Sequence, residues 1–191
     1  MGVASIAGHD SGRSETIFFL ATTPDGATMT DSGSDDVAVI VYREDDAWDV
    51  DLLPTALTED LAGLIHVLHQ QPSIGGTMGL AAVGDDFFVA IRLIGGQASV
   101  FLSDLTAAVD WPLARQVLEY LDLVVPEDEE LDQVLPAGDL SIFADLGLDE
   151  MDLAAISSDM EMYPDEAVEA IAGRLGFGPA MERALDIALG G

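Results

Sequence analysis

Val37-Ala-Val-Ile-Val-Tyr-Arg-Glu-Asp-Asp-Ala-Trp-Asp-Val-Asp-Leu-Leu53 is the stretch on which the reading of this chain turns. Val37 to Arg43 is dominated by β-branched residues, the composition of a strand. Glu44-Asp45-Asp46 marks a turn. Ala47 to Leu53 then alternates apolar and polar residues, as a return strand does. Pro54 ends the pair, because proline cannot donate to a ladder.

Working outward, Leu57 to Gln70 shows helical spacing. Leu57, Leu61, Leu64, Ile65 and Leu68 share one stripe, and Glu59 and Asp60 place acid near its N-terminus. Pro72 and Gly75-Gly76 close it. Two strands, Met78 to Val83 and Phe87 to Ile94, flank the turn Gly84-Asp85-Asp86. Gly95-Gly96 leads into a further strand, Ala98 to Leu102. The order ββαβββ with tight turns predicts an α+β fold, a mainly antiparallel sheet with one packed helix.

From Ser103 the character becomes helical. Pro112 suits a first helical turn, and Leu113 to Leu121 carries an apolar face of Leu113, Val117, Leu118 and Leu121. Pro126 to Gly138 reads as an acidic linker. Three or four short helices are expected beyond it, over Leu140–Leu146, Glu150–Ser157, Pro164–Leu175 and Pro179–Leu189. Gly147, Gly176 and Gly178 act as stops between them. The expected organisation is a poorly ordered tail over 1–36, an antiparallel α+β domain over 37–104 and an acidic helical region over 105–191. That region either packs on the sheet domain as one unit or stands apart.

Charge narrows the function. Six basic residues face 36 acidic ones in 191, a formal net charge of −30. All six are arginines, and seventeen acidic residues lie between Arg115 and Arg174 with no basic residue among them. Phosphate backbones and anionic membranes call for Lys and Arg, so direct nucleic-acid and membrane binding are disfavoured. Such a field attracts basic partners. The carboxylates expected to face one are Glu127, Asp128, Glu129, Glu130, Asp132, Asp149, Glu150 and Asp152, in the acidic stretch from Glu127 to Glu169. Solubility alone is the plainer use of any single one of them.

The chain has no cysteine, which excludes disulfides, thiolate zinc sites and cysteine nucleophiles, and fits a reducing compartment. No apolar run approaches a bilayer span, and Ile17 to Ala21 is too short for a signal peptide. A cytoplasmic protein is expected. His66 and His69 have helical ligand spacing but lie off or beside the apolar stripe, and read as solvated. No carboxylate pair stands out as catalytic, and Gly75-Gly76-Thr77-Met78-Gly79 lacks the setting of a phosphate loop. No catalytic residue, metal or cofactor is expected. Met151, Met160, Met162, Tyr163 and Met181 read as core filling, or more sharply as a Met-lined partner groove. Ala144 to Leu153 superficially resembles an acyl carrier core, yet Glu150 stands where such a carrier needs its serine.

Several stretches together resemble one known family. They are Val37 to Arg43 with Trp48, Phe101 to Pro112, Pro136 to Leu140, Ala144 to Leu148, Tyr163 to Glu166 and Arg174 to Gly178. With these the chain is similar, from Val37 onward, to the actinobacterial tRNA adenosine deaminase-associated proteins. The resemblance implies an accessory role beside that deaminase. A zinc deaminase itself needs His-x-Glu and Pro-Cys-x-x-Cys, which a cysteine-free chain cannot supply. The reading is therefore a non-catalytic acidic accessory protein that docks a basic partner, with a tRNA adenosine deaminase the first candidate. The sheet serves as scaffold or as a homodimer edge. A nucleic-acid mimic or inhibitor, a carboxylate enzyme using a divalent metal and a purely structural domain are the alternatives.

Overall fold

The computed structural model describes residues 36–190 except Asp46, Pro72, Ile74 and residues 127–133. The expected tail up to residue 35 and the candidates Glu127, Asp128, Glu129, Glu130 and Asp132 lie outside the described residues.

Strands β1 (Val37–Glu44) and β2 (Ala47–Leu52) form the hairpin, followed by helix α1 (Leu61–Gln70). Next come β3 (Thr77–Val83), β4 (Phe87–Ile94), β5 (Gln97–Leu102) and α2 (Pro112–Tyr120). A two-residue strand β6 (Ala137–Gly138) precedes α3 (Glu150–Ser157), α4 (Pro164–Leu175) and α5 (Gly178–Leu189). The sheet order is β2-β1-β3-β4-β5-β6, and every neighbouring pair is antiparallel. The architecture is α+β, as the strand and helix patterns predict.

The sheet is covered on both sides. Every residue of β3, and every residue of β4 but Ile94, is buried, so alternate side chains feed two separate cores. Ile40, Ala81, Val89 and Ile91 meet Leu61, Leu64 and Leu68 of α1 and Leu113, Val117 and Leu118 of α2. On the other face Val39, Leu80, Phe88 and Phe101 meet Leu153, Ile171, Leu175, Phe177 and Met181 from α3, α4 and α5. Gly79 on β3 lets α1 sit close, since a Cβ there would lie 3.1 Å from Leu68 Cδ1.

Two local readings change. The helix expected from Leu57 begins at Leu61. After Pro54 the chain makes a 3-10 turn over Thr55–Glu59, and Asp60 caps α1 by accepting from the Gly63 N–H at 2.9 Å. The cap fixes where α1 starts at about 1 kcal/mol. The three buried leucines hold the helix in place, at roughly 1.5–3 kcal/mol each.

The helix expected over Leu140–Leu146 is a series of turns ending in a short 3-10 segment, Ala144–Leu146. Asp139 accepts from both the N–H and the hydroxyl of Ser141, at 3.0 and 2.6 Å. A short polar side chain bonded this way competes with helical turns. Arg92 takes the Ile142 carbonyl at 2.9 Å, and Gly147 ends the segment at φ 99°.

Candidate interaction surface

Many carboxylates are engaged in holding the fold. Asp149 caps α3, accepting from the N–H groups of Met151 and Asp152 at 3.0 and 2.9 Å. Asp152 pairs with Arg174 on α4 at 2.9 Å, and both side chains remain substantially exposed. Glu150 lies between them in the first turn of α3 and is exposed. These three candidates thus sit together at one helix start. Glu150 has no hydrogen-bond partner among the described residues, and the other two have local ones.

Among the described residues Arg92 is the one buried basic side chain, 4% exposed on β4. It forms a two-point pair with Asp145, whose Oδ2 accepts from Nη2 at 2.8 Å. That guanidinium holds the Asp145 carboxyl below its usual range, chiefly through the hydrogen bond. Asp145 itself is 63% exposed, and Arg92 Nε has no partner among the described residues. The pair fastens the turn segment before α3 to the sheet.

On the hairpin, the Tyr42 hydroxyl donates to Asp51 Oδ2 at 2.7 Å, across the pairing of β1 with β2. That bond, followed by burial and the Asp51, Asp49 and Glu44 charges, pushes the phenol from 10.0 up to about 12. A raised folded pKa favours the protonated form in the native state. The contribution is therefore complete below the unfolded pKa near 10 and is lost as pH rises toward 12. In a tyrosinate absorbance titration of the native protein, Tyr42 should ionise last, and Asp51→Asn should bring it back toward 10. An unchanged titration curve in Asp51→Asn would contradict this account.

The surface also carries a groove of about 200 Å³ where the β3–β4 turn faces the loop between α3 and α4. Asp85, Asp86 and Asp159 border it, and Ile156, Met160 and Met162 line its apolar part. Met160 is 87% exposed, whereas Met181, from the same group of residues noted above, is fully buried. Asp85 also borders a shallow depression continuing to Tyr163, Asp165 and Glu166. Tyr163 is more than half exposed, and among the described residues no basic side chain lines either hollow. Composition shows the methionines and the Asp85-Asp86 turn, but no local pattern shows that they meet.

His66 and His69 are both exposed on α1, and His66 Nε2 lies 2.7 Å from Gln70 Nε2. Among the described residues no three His, Asp or Glu side chains are grouped to hold a metal. None of the described helices is long and apolar enough to cross a membrane.

Fold and surface together define an acidic α+β protein, a single antiparallel sheet between two helical layers. The chain belongs to the family of Rv3753c-like tRNA adenosine deaminase-associated proteins, whose model matches residues 36–178. It is similar to Protein Rv3753c of Mycobacterium tuberculosis (strain ATCC 25618 / H37Rv), at 35% identity over 168 residues. The match covers 87% of this chain and 91% of that protein. No solved structure gives a significant match. The family description names its members as associated with a tRNA adenosine deaminase, and not as the deaminase.

Proposed function

We propose that this protein is a non-catalytic, cytoplasmic accessory protein that docks a basic partner, a tRNA adenosine deaminase first among candidates. The observation that carries the proposal is the charge of −30 with no lysine. An enzyme that grips tRNA presents a basic surface, and a strongly acidic chain is attracted to one. The family name supplies the candidate. The stretch from Glu127 to Glu169, with Glu127, Asp128, Glu129, Glu130, Asp132, Asp149, Glu150 and Asp152, provides the long-range field. Among the described residues β2 is an edge strand of the sheet, and that edge offers a route to a homodimer.

The test is direct binding between the purified chain and the deaminase encoded in the same genome, followed by calorimetry across a salt series. Affinity should fall steadily as salt rises, because screening weakens exposed charge pairs. Absence of binding, or binding indifferent to salt, would overturn the proposal. Added tRNA separates two uses of the acidic surface. An accessory docked beside the tRNA site stays bound, whereas displacement by tRNA would assign nucleic-acid mimicry instead.

A further inference from the structure

The geometry points to the groove between the β3–β4 turn and the α3–α4 loop as the docking site for a segment of a partner protein that is both basic and apolar. This deepens the accessory reading and rests on it for the existence of a basic partner. It places the contact where the later part of the acidic stretch, with Asp159, Met160 and Met162, meets the β3–β4 turn, and not at the start of α3.

Two kinds of side chain meet at this place. Met160 projects 87% exposed at the groove mouth, with Met162 and Ile156 half-buried behind it. An unbranched thioether adapts to whatever packs on it, which suits a recognition surface better than a rigid aliphatic. The bordering carboxylates come from three parts of the chain: Asp85 and Asp86 from the hairpin turn, Asp104 after β5, bonded to the N–H groups of Thr106 and Leu135, and Asp159 from the loop, which accepts from the Glu161 N–H at 3.1 Å. Among the described residues neither Asp85 nor Asp86 has a hydrogen-bond partner for its carboxylate, and no basic side chain lines the groove to neutralise them. The acids at the start of α3 differ, since Asp149 and Asp152 are engaged within the chain.

The complementary occupant follows from this pairing. An arginine or lysine of the partner meets the Asp85, Asp86 and Asp159 carboxylates, while a neighbouring leucine or methionine covers Met160 and Met162. Tyr163, in the adjoining depression, extends the contact with an aromatic face of the kind enriched at interface anchors. A nucleic acid is excluded here by like charge, and an uncharged apolar peptide would leave the carboxylates uncompensated.

The probe is a short synthetic peptide of alternating arginine and leucine, titrated into the full chain carrying ¹³C-methyl methionine. The Met160 and Met162 methyl signals should shift and saturate, while that of Met151, exposed on α3 outside the groove, stays in place. A peptide of equal charge with glycine for leucine should bind about tenfold more weakly, a difference typical of one well-placed apolar contact. The double variant Asp85→Asn/Asp86→Asn, in an exposed turn, should weaken the arginine–leucine peptide by about tenfold or more, whereas Glu119→Gln, exposed on α2 at the other face of the sheet, should not. Three results would each overturn the assignment: unmoved Met160 and Met162 signals, equal affinity for the glycine peptide, or equal loss in Glu119→Gln. The two proposals fail separately. A deaminase that binds wild type and Asp85→Asn/Asp86→Asn alike refutes the groove and spares the accessory role. Peptide capture at Met160 without deaminase binding does the reverse.

Discussion

Asp145→Ala should destabilise the protein by about 2–3 kcal/mol, just under the roughly 3–5 kcal/mol that breaking a fully buried ion pair costs. The asymmetry of the pair sets the figure. Arg92 is 4% exposed and Asp145 63% exposed, so losing the carboxylate strands a buried cation. The two backbone carbonyls of Ile142 and Gly75, at 2.9 and 3.4 Å, remain as its partners. Losing the guanidinium instead leaves a carboxylate that water can solvate, and it also removes the unpartnered Nε. Arg92→Met should therefore cost about 1 kcal/mol or less, in line with the near-neutral replacement of buried ion pairs by apolar side chains. Adding Asp145→Ala to it should cost little more. Urea denaturation of the three variants checks the order, and an Asp145→Ala milder than Arg92→Met would refute it. The pH dependence has a definite sign. The folded-state pKa of Asp145 is lowered, so its stabilisation is present above the unfolded value of about 3.9 and is lost as pH falls through the folded one. Asp145→Asn should flatten that part of the acid-denaturation profile.

Phe177→Ala should cost more, about 3–5 kcal/mol, the range for deleting a fully buried aromatic side chain. Phe177 is 1% exposed and follows Gly176, whose φ of 90° turns the chain from α4 into α5. Its ring lies 5.5 Å from that of Trp48 on β2, tilted by 54°, and the Arg43 guanidinium sits 4.3 Å from the same indole. One side chain thus ties the last two helices to the outermost hairpin. Truncation leaves a cavity that α5 and β2 cannot both close. A domain of ordinary stability, about 5–15 kcal/mol, would lose a large share of it. The denaturation midpoint should fall with the slope unchanged, and Trp48 fluorescence, read in a Trp111→Phe background, should shift to the red. Phe177→Leu, which keeps most of the volume, should lie well between the two. A Phe177→Ala protein as stable as wild type would show that α5 is held by other contacts.

Local patterns were legible where a segment's periodicity and its punctuation agreed. Phe87–Ile94, Glu150–Ser157 and Pro164–Leu175 have the bounds expected of them, because turn glycines, an acidic cap and a first-turn proline mark their ends. Leu140–Leu146 misled because its apolar spacing mimics a helix, while the decisive contacts come from Asp139 and the distant Arg92. The second covered face of the sheet was written in β3 and β4, whose apolar residues occupy both alternations. It needed a reading for two-sided burial in place of a one-sided layer. The acidic stretch was visible as composition, but the engagement of Asp149 and Asp152 within the chain appears only in three dimensions. The groove was least accessible of all. Asp85 and Met160 are remote in sequence, and no spacing rule joins a hairpin turn to an interhelical loop.

The layered order also sets a timetable during synthesis on the ribosome. One side of the sheet is closed by α1, made between β2 and β3, and by α2, which emerges soon after β5. The other side, with Val39, Leu80, Phe88 and Phe101, waits for α3 to α5 at the far end of the chain. At translation rates of about 5–20 residues per second, that apolar surface stays uncovered for on the order of ten seconds. Nascent chains stalled before Glu150 should therefore be the ones that engage chaperones, and a message truncated there should yield insoluble product. The high negative charge of the growing chain opposes such clumping throughout this interval, a service it performs before any partner is met.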